Sequence, residues 1–397
     1  MLLDQKTVAV IGGGPGGLML ARLLQLKGAQ VHVYERDAHS GIRQQGATLD
    51  LHEDSGLKAL KAAKLMSAFT KHYRPEAGKM RVADKNLQIF MDDHITGKGY
   101  TEVRPEIDRG PLRDILIQSL QPGTIIWGSQ FLSMERVKNA TQASNKWAIN
   151  FKNGQTALAD LVIAADGANS KLRPYLTGLQ PVYSDITMVE GNTYHAAEHA
   201  PGLWNLTKGG KLFILDEEKS LILTAKGDGT LTFYTGSKEK EDWVVSSQID
   251  FDSQQSVFDW FKTAYGGWDP RLLELFQGPA MVKCIPRPMY HYVRKQHWET
   301  SADLTLLGDA AHRMPPYAGE GVNMALLDAL VLSNALTTTS FVTLKEAIAD
   351  YESEMLQRAD LMTARSLQNT RMLHEPDAIS YMHQLLSEED QGPLFAS

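Results

Sequence analysis

A single cysteine, Cys284, leaves this chain unable to form an internal disulfide, which excludes the disulfide-framed secreted folds and suits a reducing compartment. Set in an apolar run, Cys284 reads as a core residue and not as a nucleophile. No apolar run reaches the roughly 18 residues of a membrane-spanning helix. The N-terminus enters a strand pattern at Lys6-Thr7-Val8-Ala9-Val10, without the basic and apolar regions of an export signal. A cytoplasmic chain with no membrane partner is expected. Basic residues are also in short supply: 40 Lys and Arg stand against 47 Asp and Glu, for a net charge of −7. They are scattered, which argues against nucleic acid or an anionic surface as a partner. Repeats and low-complexity segments are absent, and no metal site is expected. What remains is a small-molecule protein, expected as a monomer.

With 397 residues, 43% of them hydrophobic, the chain exceeds the size at which single cores stop growing, so two domains are expected. Its most informative stretch is A-V-I-G-G-G-P-G-G, Ala9 to Gly17, a buried-strand pattern running into a G-x-G-x-x-G turn at Gly12, Gly14 and Gly17. Gly12 permits the tight turn, Gly14 the close approach of a pyrophosphate, and Gly17 the packing of the following helix on the strand. That helix offers free N–H groups to phosphate. Val31 to Arg36, V-H-V-Y-E-R, reads as the second strand and ends on Glu35, placed to bond a ribose.

Helical spacing follows over His52 to Phe69 and over Asp108 to Leu120, and short buried strands over Thr124 to Trp127 and Leu158 to Ala165. From about Pro181 to Val282 the texture changes to short alternating segments, the mark of an antiparallel sheet. Two helical stretches follow, Ser253 to Tyr265 and Pro270 to Phe276. Leu304 to Leu307 then returns to the buried-strand style, so the sheet reads as inserted. Phe341 to Arg371 is a long helical run laid across both parts. The expected fold is α/β: a Rossmann-like FAD-binding domain (1–72, 105–180 and 283–340), an inserted antiparallel β-sheet substrate domain (73–104 and 181–282), and a long C-terminal bridging helix (341–397).

A second glycine turn, Leu307 to Asn323, repeats the strand, turn, helix logic. Asp309 can accept from hydroxyls of a sugar or ribityl chain, Pro315 and Pro316 stiffen the connection, and Gly319 and Gly321 admit a flat ligand. Two such turns point to a long cofactor gripped at both ends, FAD before NAD. His312, inside this motif, reads as a packing or hydrogen-bonding residue, and no catalytic side chain is assigned.

The three motifs Gly12-x-Gly14-x-x-Gly17, Asp166-Gly167-x-x-Ser170-x-x-Arg173 and Gly308-Asp309-Ala310-Ala311-His312-x-x-Pro315 resemble those of class A flavoprotein monooxygenases of the aromatic-hydroxylase type. Tyr34-Glu35-Arg36-Asp37, Gly46-x-Thr48-Leu49-Asp50-Leu51-His52 and Met314 to Asn323 further resemble the tetracycline-inactivating monooxygenases of the Tet(X) type. The resemblance implies an FAD- and NADPH-dependent enzyme that hydroxylates tetracyclines with O2 through a flavin C4a-hydroperoxide. It implies FAD contacts at Gly12, Gly14, Gly17, Glu35, Arg36, Asp50, Arg109, Asp309, Gly321, Val322 and Asn323, and an NADPH contact at Arg43. On the residues alone, Arg109 also reads as a helix-start charge, Arg43 as a loop charge and Asp50 as a turn residue. The substrate side falls on Glu190, Lys211, Phe213, Thr232, Pro316, Gly319, Asn369 and Leu373. Glu190, Lys211 and Thr232 stand where the family places Gln, Arg and His. Another aromatic or polyketide substrate, or an FAD-containing drug-binding protein without catalysis, stays open.

Overall fold

The computed structural model describes residues 2–42, 46–95, 104–138, 145–278 and 284–389. The apolar run at Thr7–Ile11 forms the central strand of a five-stranded parallel sheet, in the order Leu304–Leu306, Leu161–Ala164, Thr7–Ile11, Gln30–Tyr34, Ile125–Ile126. Strands buried on both faces read as continuous Val, Ile and Leu, which is why this sheet was visible in the sequence. Helix Pro15–Leu26 follows the first strand, with Gly14 as N-cap and Pro15 in its first turn. It packs against helix Gly321–Thr337.

Local breaks divide several expected elements. The Leu158 to Ala165 run splits at Asp160: Thr156–Ala159 joins Phe131–Lys138 and Asn145–Phe151 in a separate antiparallel sheet, and only Leu161–Ala164 enters the parallel one. Asp160 Oδ2 accepts from Thr7 N at 2.9 Å, which fixes that change of partner. The His52 to Phe69 run becomes two helices, Gly56–Ala62 and Met66–Phe69, separated by a turn with Lys64 at φ 60°.

The inserted sheet has seven strands, ordered Ile285–His291, Val182–Thr193, Leu231–Lys238, Lys219–Ala225, Lys211–Asp216, Met80–Ala83, Ile89–Asp92. Met80–Ala83 pairs parallel to Lys211–Asp216, which brings the early segment into this sheet, and the other pairings are antiparallel. The boundary expected at 283 is displaced: Ile285–His291 still belongs to this sheet. Its sequence, I-P-R-P-M-Y-H, hides the strand because Pro286 and Pro288 lack N–H donors, and such a strand is tolerated only at a sheet edge, where this one lies. One face of the sheet carries Val189, Leu212, Ile214, Leu221, Leu223, Leu231 and Phe233 into an apolar core shared with helix Gln254–Ala264 and the 3₁₀ turn Pro270–Phe276. The alternate residues face the parallel-sheet domain.

Helix Leu344–Met372 begins with a capping box in which Thr343 and Glu346 bond each other's backbone. At 29 residues it spans about 44 Å. Ala347, Ile348, Tyr351 and Met355 pack into the first core, and Tyr351 Oη donates to Leu306 O at 2.8 Å. Just past its far end, Leu373 joins Val82 and Leu215 of the inserted sheet. The helix thus bridges both parts, and a further helix, Ala378–Glu389, follows it.

Candidate functional site

At the end of the central strand Gly12 turns with φ +115°, and a Cβ there would lie 2.2 Å from Ala165 O. Gly17 is equally constrained, its Cβ direction ending 2.2 Å from Gly12 O. Gly14 differs. Its φ of −77° suits any residue, and nothing lies within 4 Å of the Cβ direction. Protein packing therefore explains Gly12 and Gly17, whereas Gly14 borders open space at a helix N-terminus, as a pyrophosphate needs.

Glu35 is buried, with Oε2 accepting from Gly13 N at 2.7 Å and Oε1 from Asp37 N at 2.9 Å. Arg36, next in sequence, is exposed. Arg113, which no motif singled out, fastens the same loop: its Nη1 donates to Ser40 O at 2.8 Å, its Nε to Gly13 O at 3.4 Å, and it faces Asp37 at 3.5 Å. Its only signal was a basic residue at an apolar helical position, one turn after Arg109. Arg43 lies outside the described residues.

The late turn comes to the same rim. A Cβ on Gly16 would meet Leu307 Cδ1 at 2.7 Å and Ala325 O at 3.1 Å, so the two glycine turns sit side by side. Asp309 is exposed on the short helix Asp309–His312, and its Oδ1 lies 3.9 Å from the Cβ direction of Gly321, the first residue of the next helix. Asn323 is fully buried: its Oδ1 accepts from His52 N at 3.0 Å and its Nδ2 donates to Asp50 O at 2.9 Å. Its side chain is a clasp, so only its backbone and that of Gly321 and Val322 can face a ligand. Asp50 in turn accepts from His52 Nε2 at 3.0 Å, and His52 Nδ1 faces Glu320 at 3.4 Å. Burial works to raise the Asp50 pKa, but the His52 hydrogen bond and the Lys211, His52 and Arg104 charges overcome it and hold the carboxyl below its usual range.

His312 is a structural residue in this arrangement. Its Nε2 meets Asp328 Oδ2 at 2.7 Å, and Asp328 also accepts from Gly308 N at 2.9 Å and from Arg358 Nη2 at 3.0 Å. Arg173 of the middle motif ties the other side, donating to Ala310 O at 3.0 Å and Ala311 O at 2.9 Å, with its guanidinium over the Tyr292 ring.

Glu190, Lys211, Phe213 and Thr232 all lie on the sheet face turned toward the parallel-sheet domain, as period-two alternation requires. Each polar one is engaged. Glu190 Oε2 accepts from Arg287 Nε at 2.5 Å, Lys211 Nζ pairs with buried Glu106, and Thr232 Oγ1 donates to Asn192 Oδ1 at 2.7 Å. Tyr234, on the same face, reaches across so that its hydroxyl accepts from Ala47 N at 3.1 Å. Burial, with the Glu190 charge, pushes its phenol up to about 12. Arg109 is nearby, and its buried Nε has no partner among the described residues. Pro316 and Gly319 are exposed, and Gly319, at φ +70°, comes within 3.8 Å of Asp50 through its Cβ direction. Asn369 and Leu373 are turned to packing: the Asn369 amide donates to Tyr317 O at 2.9 Å and accepts from Tyr381 Oη at 2.7 Å, and Leu373 is closed in an apolar cluster.

The open approach at Gly14, the exposed Asp309 carboxylate and the orphaned Arg109 Nε fit a bound dinucleotide. Among the described residues no group of three or more His, Cys, Asp or Glu could hold a metal, and no helix is long and apolar enough to cross a membrane. The chain matches the model of the FAD binding domain family over residues 5–366. Monooxygenase penA of Penicillium thymicola is 28% identical over 410 residues, covering 89% of this chain and 91% of penA. The 6-hydroxynicotinate 3-monooxygenase of Pseudomonas fluorescens is 24% identical over 374 residues, covering 91% of each. Tetracycline destructase Tet(55) superposes with a TM-score of 0.74 at 19% identity, covering 98% of this chain and 96% of its own, a likeness of fold alone. The tetracycline resemblance is thus met by a solved fold, while these sequence relatives carry the names of other monooxygenases.

Proposed function

This chain belongs to the FAD binding domain family and is a flavin-dependent monooxygenase, and from that premise we propose that it hydroxylates tetracycline-type polycyclic phenols with NADPH and O2. The observation that carries the reading is the contact of Gly16 with Leu307 and Ala325, which sets the adenosine-end turn and the late proline turn on one rim. A cofactor as long as FAD is thereby reachable from both.

When bound, FAD takes electrons from NADPH and supplies the oxygen chemistry. The rest is the work of the chain. Gly14 and the N-terminus of helix Pro15–Leu26 receive the pyrophosphate, Glu35 the adenosine ribose, and Asp309 the ribityl region. The backbone N–H groups at Gly321 to Asn323 favour negative charge on the ring, worth about 0.3–1 kcal/mol from the helix dipole. Pro316 and Tyr317 on one side and the Glu190, Phe213 and Thr232 face of the sheet on the other enclose the substrate and keep water from the reacting oxygen.

A second reading, hydroxylation of a smaller aromatic, is favoured by Tyr234, whose bond to Ala47 crosses the space between sheet and loop. A panel of tetracyclines and single-ring phenols under NADPH and air decides between them. Mass spectrometry showing a tetracycline heavier by one oxygen supports the first reading. Oxygenation confined to single-ring phenols supports the second, and NADPH consumption without any oxygenated product overturns both.

A further inference from the structure

Arg287 stands on the edge strand Ile285–His291, opposite Met188, and so on the same sheet face as Glu190. The Arg287 Nε donates to Glu190 Oε2 at 2.5 Å, with the Glu190 side chain 10% exposed and that of Arg287 47% exposed. That contact uses one of its five donors, and among the described residues no acceptor faces its two Nη nitrogens. A guanidinium held by its Nε offers a planar pair of N–H groups, the shape that bonds a carboxylate or enolate at two points.

The surroundings carry a surplus of positive charge. Arg287 and Arg109 both act on the Tyr234 phenol, with Glu190 as the opposing charge. Tyr234 stays protonated at neutral pH, and Cys284, which also feels Glu190, is kept a neutral thiol by burial. Two guanidiniums therefore meet one carboxylate around Tyr234. Lys211 does not share this duty, because its ammonium is paired with Glu106 of a separate three-stranded sheet.

The geometry points to Arg287 as the residue that receives an acidic group of the substrate, a carboxylate, phenolate or enolate, with Glu190 acting as a positioning residue that holds the guanidinium by its Nε. This rests on the monooxygenase reading above and narrows its substrates to anionic ones. It also gives Glu190, on the face that borders the substrate, a role exerted through Arg287.

Calorimetric titration of the FAD-loaded protein with 2-hydroxybenzoate and with 2-hydroxybenzamide tests it, since the pair shares a ring and differs in charge. The acid is expected to bind at least about tenfold more tightly than the amide. Arg287→Gln should erase that preference while leaving the amide affinity and FAD content unchanged. Arg287→Lys should restore part of it, and Glu190→Gln should weaken it without abolishing it. Equal binding, no binding of either compound, or a preference that survives Arg287→Gln overturns the assignment. A protein that holds FAD and oxygenates a substrate, yet shows one of those results, fails this inference alone; a chain that retains no FAD fails the earlier reading and this one with it.

Discussion

The Glu35 carboxylate accepts a hydrogen bond from the Gly13 amide at 2.7 Å, so the acid ending the second strand directly holds the turn that ends the first. The same carboxylate accepts from Asp37 N, and a Cβ on Gly13 would come within 2.8 Å of its Oε2. Glu35→Ala should therefore cost stability as well as FAD affinity, by about 1–3 kcal/mol for the buried amides left without an acceptor. Thermal melting of the apoprotein checks the first effect and FAD titration the second.

Gly14 and Gly12 should separate binding from folding. In Gly14→Val the Cβ finds no atom within 4 Å beyond its chain neighbours and φ is an ordinary −77°, so the variant should melt like the parent while emerging colourless. Gly12→Ala drives a methyl onto Ala165 O at a φ of +115° and should lower the melting temperature itself. A Gly14→Val protein that stays yellow at full occupancy would remove the dinucleotide from this turn.

Asp328→Asn should be among the most damaging single changes in the chain. Asp328 is buried between His312 and Arg358; burial alone would lower the His312 pKa, but the Asp328 charge raises it. Removing the carboxylate leaves buried His312 without its charged partner and takes from Arg358 one of two, Glu354 remaining, at a cost of about 3–5 kcal/mol. Denaturant melts measure this loss, and because asparagine matches aspartate in shape, the change reports the missing charge and not a packing defect.

The Asp50, His52 and Glu320 strap gives a pH dependence with a definite sign. Burial opposes the charged imidazole, but the Asp50 hydrogen bond and the Asp50 and Glu320 charges raise its pKa above 6.5, against an opposing Arg104. Its contribution is full below the unfolded value near 6.5 and fades as pH rises through the raised folded value. The Asp50 contribution runs the other way, present above its ordinary 3.8 and lost only as pH falls through its depressed folded value. The stability gap between parent and His52→Gln should thus be widest between about pH 4 and 6.5 and shrink above it. Melting curves from pH 4 to 9 check this, and a gap that widens with alkalinity contradicts it.

Tyr317→Phe should loosen the late turn while sparing the dinucleotide end. The Tyr317 hydroxyl, Ser220 Oγ and His374 Nε2 meet at 3.2–3.4 Å, in space that a Cβ on Gly236 would fill. His374 Nδ1 donates to Thr370 O at 2.7 Å, and burial lowers the ring's pKa, so neutral Nε2 accepts from a hydroxyl. The variant should lose about 1 kcal/mol and release more hydrogen peroxide per NADPH, with FAD affinity unchanged.

Much of the fold was legible because its parallel strands are continuous apolar runs and its turns need glycine. The strands Thr7–Ile11 and Leu304–Leu306 and the helix Arg109–Gln118 are found close to where the pattern set them. The edge strand with Pro286 and Pro288 was not, since strand pairing there comes from a distant segment and not from local propensity. The site was legible in part for the same reason. Backbone cradles leave a glycine signature, so the cofactor turns stood out. Side-chain partnerships do not: nothing local links Arg287 to Glu190, Arg113 to Gly13, or Asn369 to the Tyr317 carbonyl.

The helix Leu344–Met372 is moored near its start by Tyr351 to the strand beside the late turn, and just beyond its end by His374 to the inserted sheet. A rod anchored at both ends sets the gap between the two bodies as a fixed dimension. Wide hinge opening would have to break one of these moorings, whereas smaller pieces at the rim can shift with both intact.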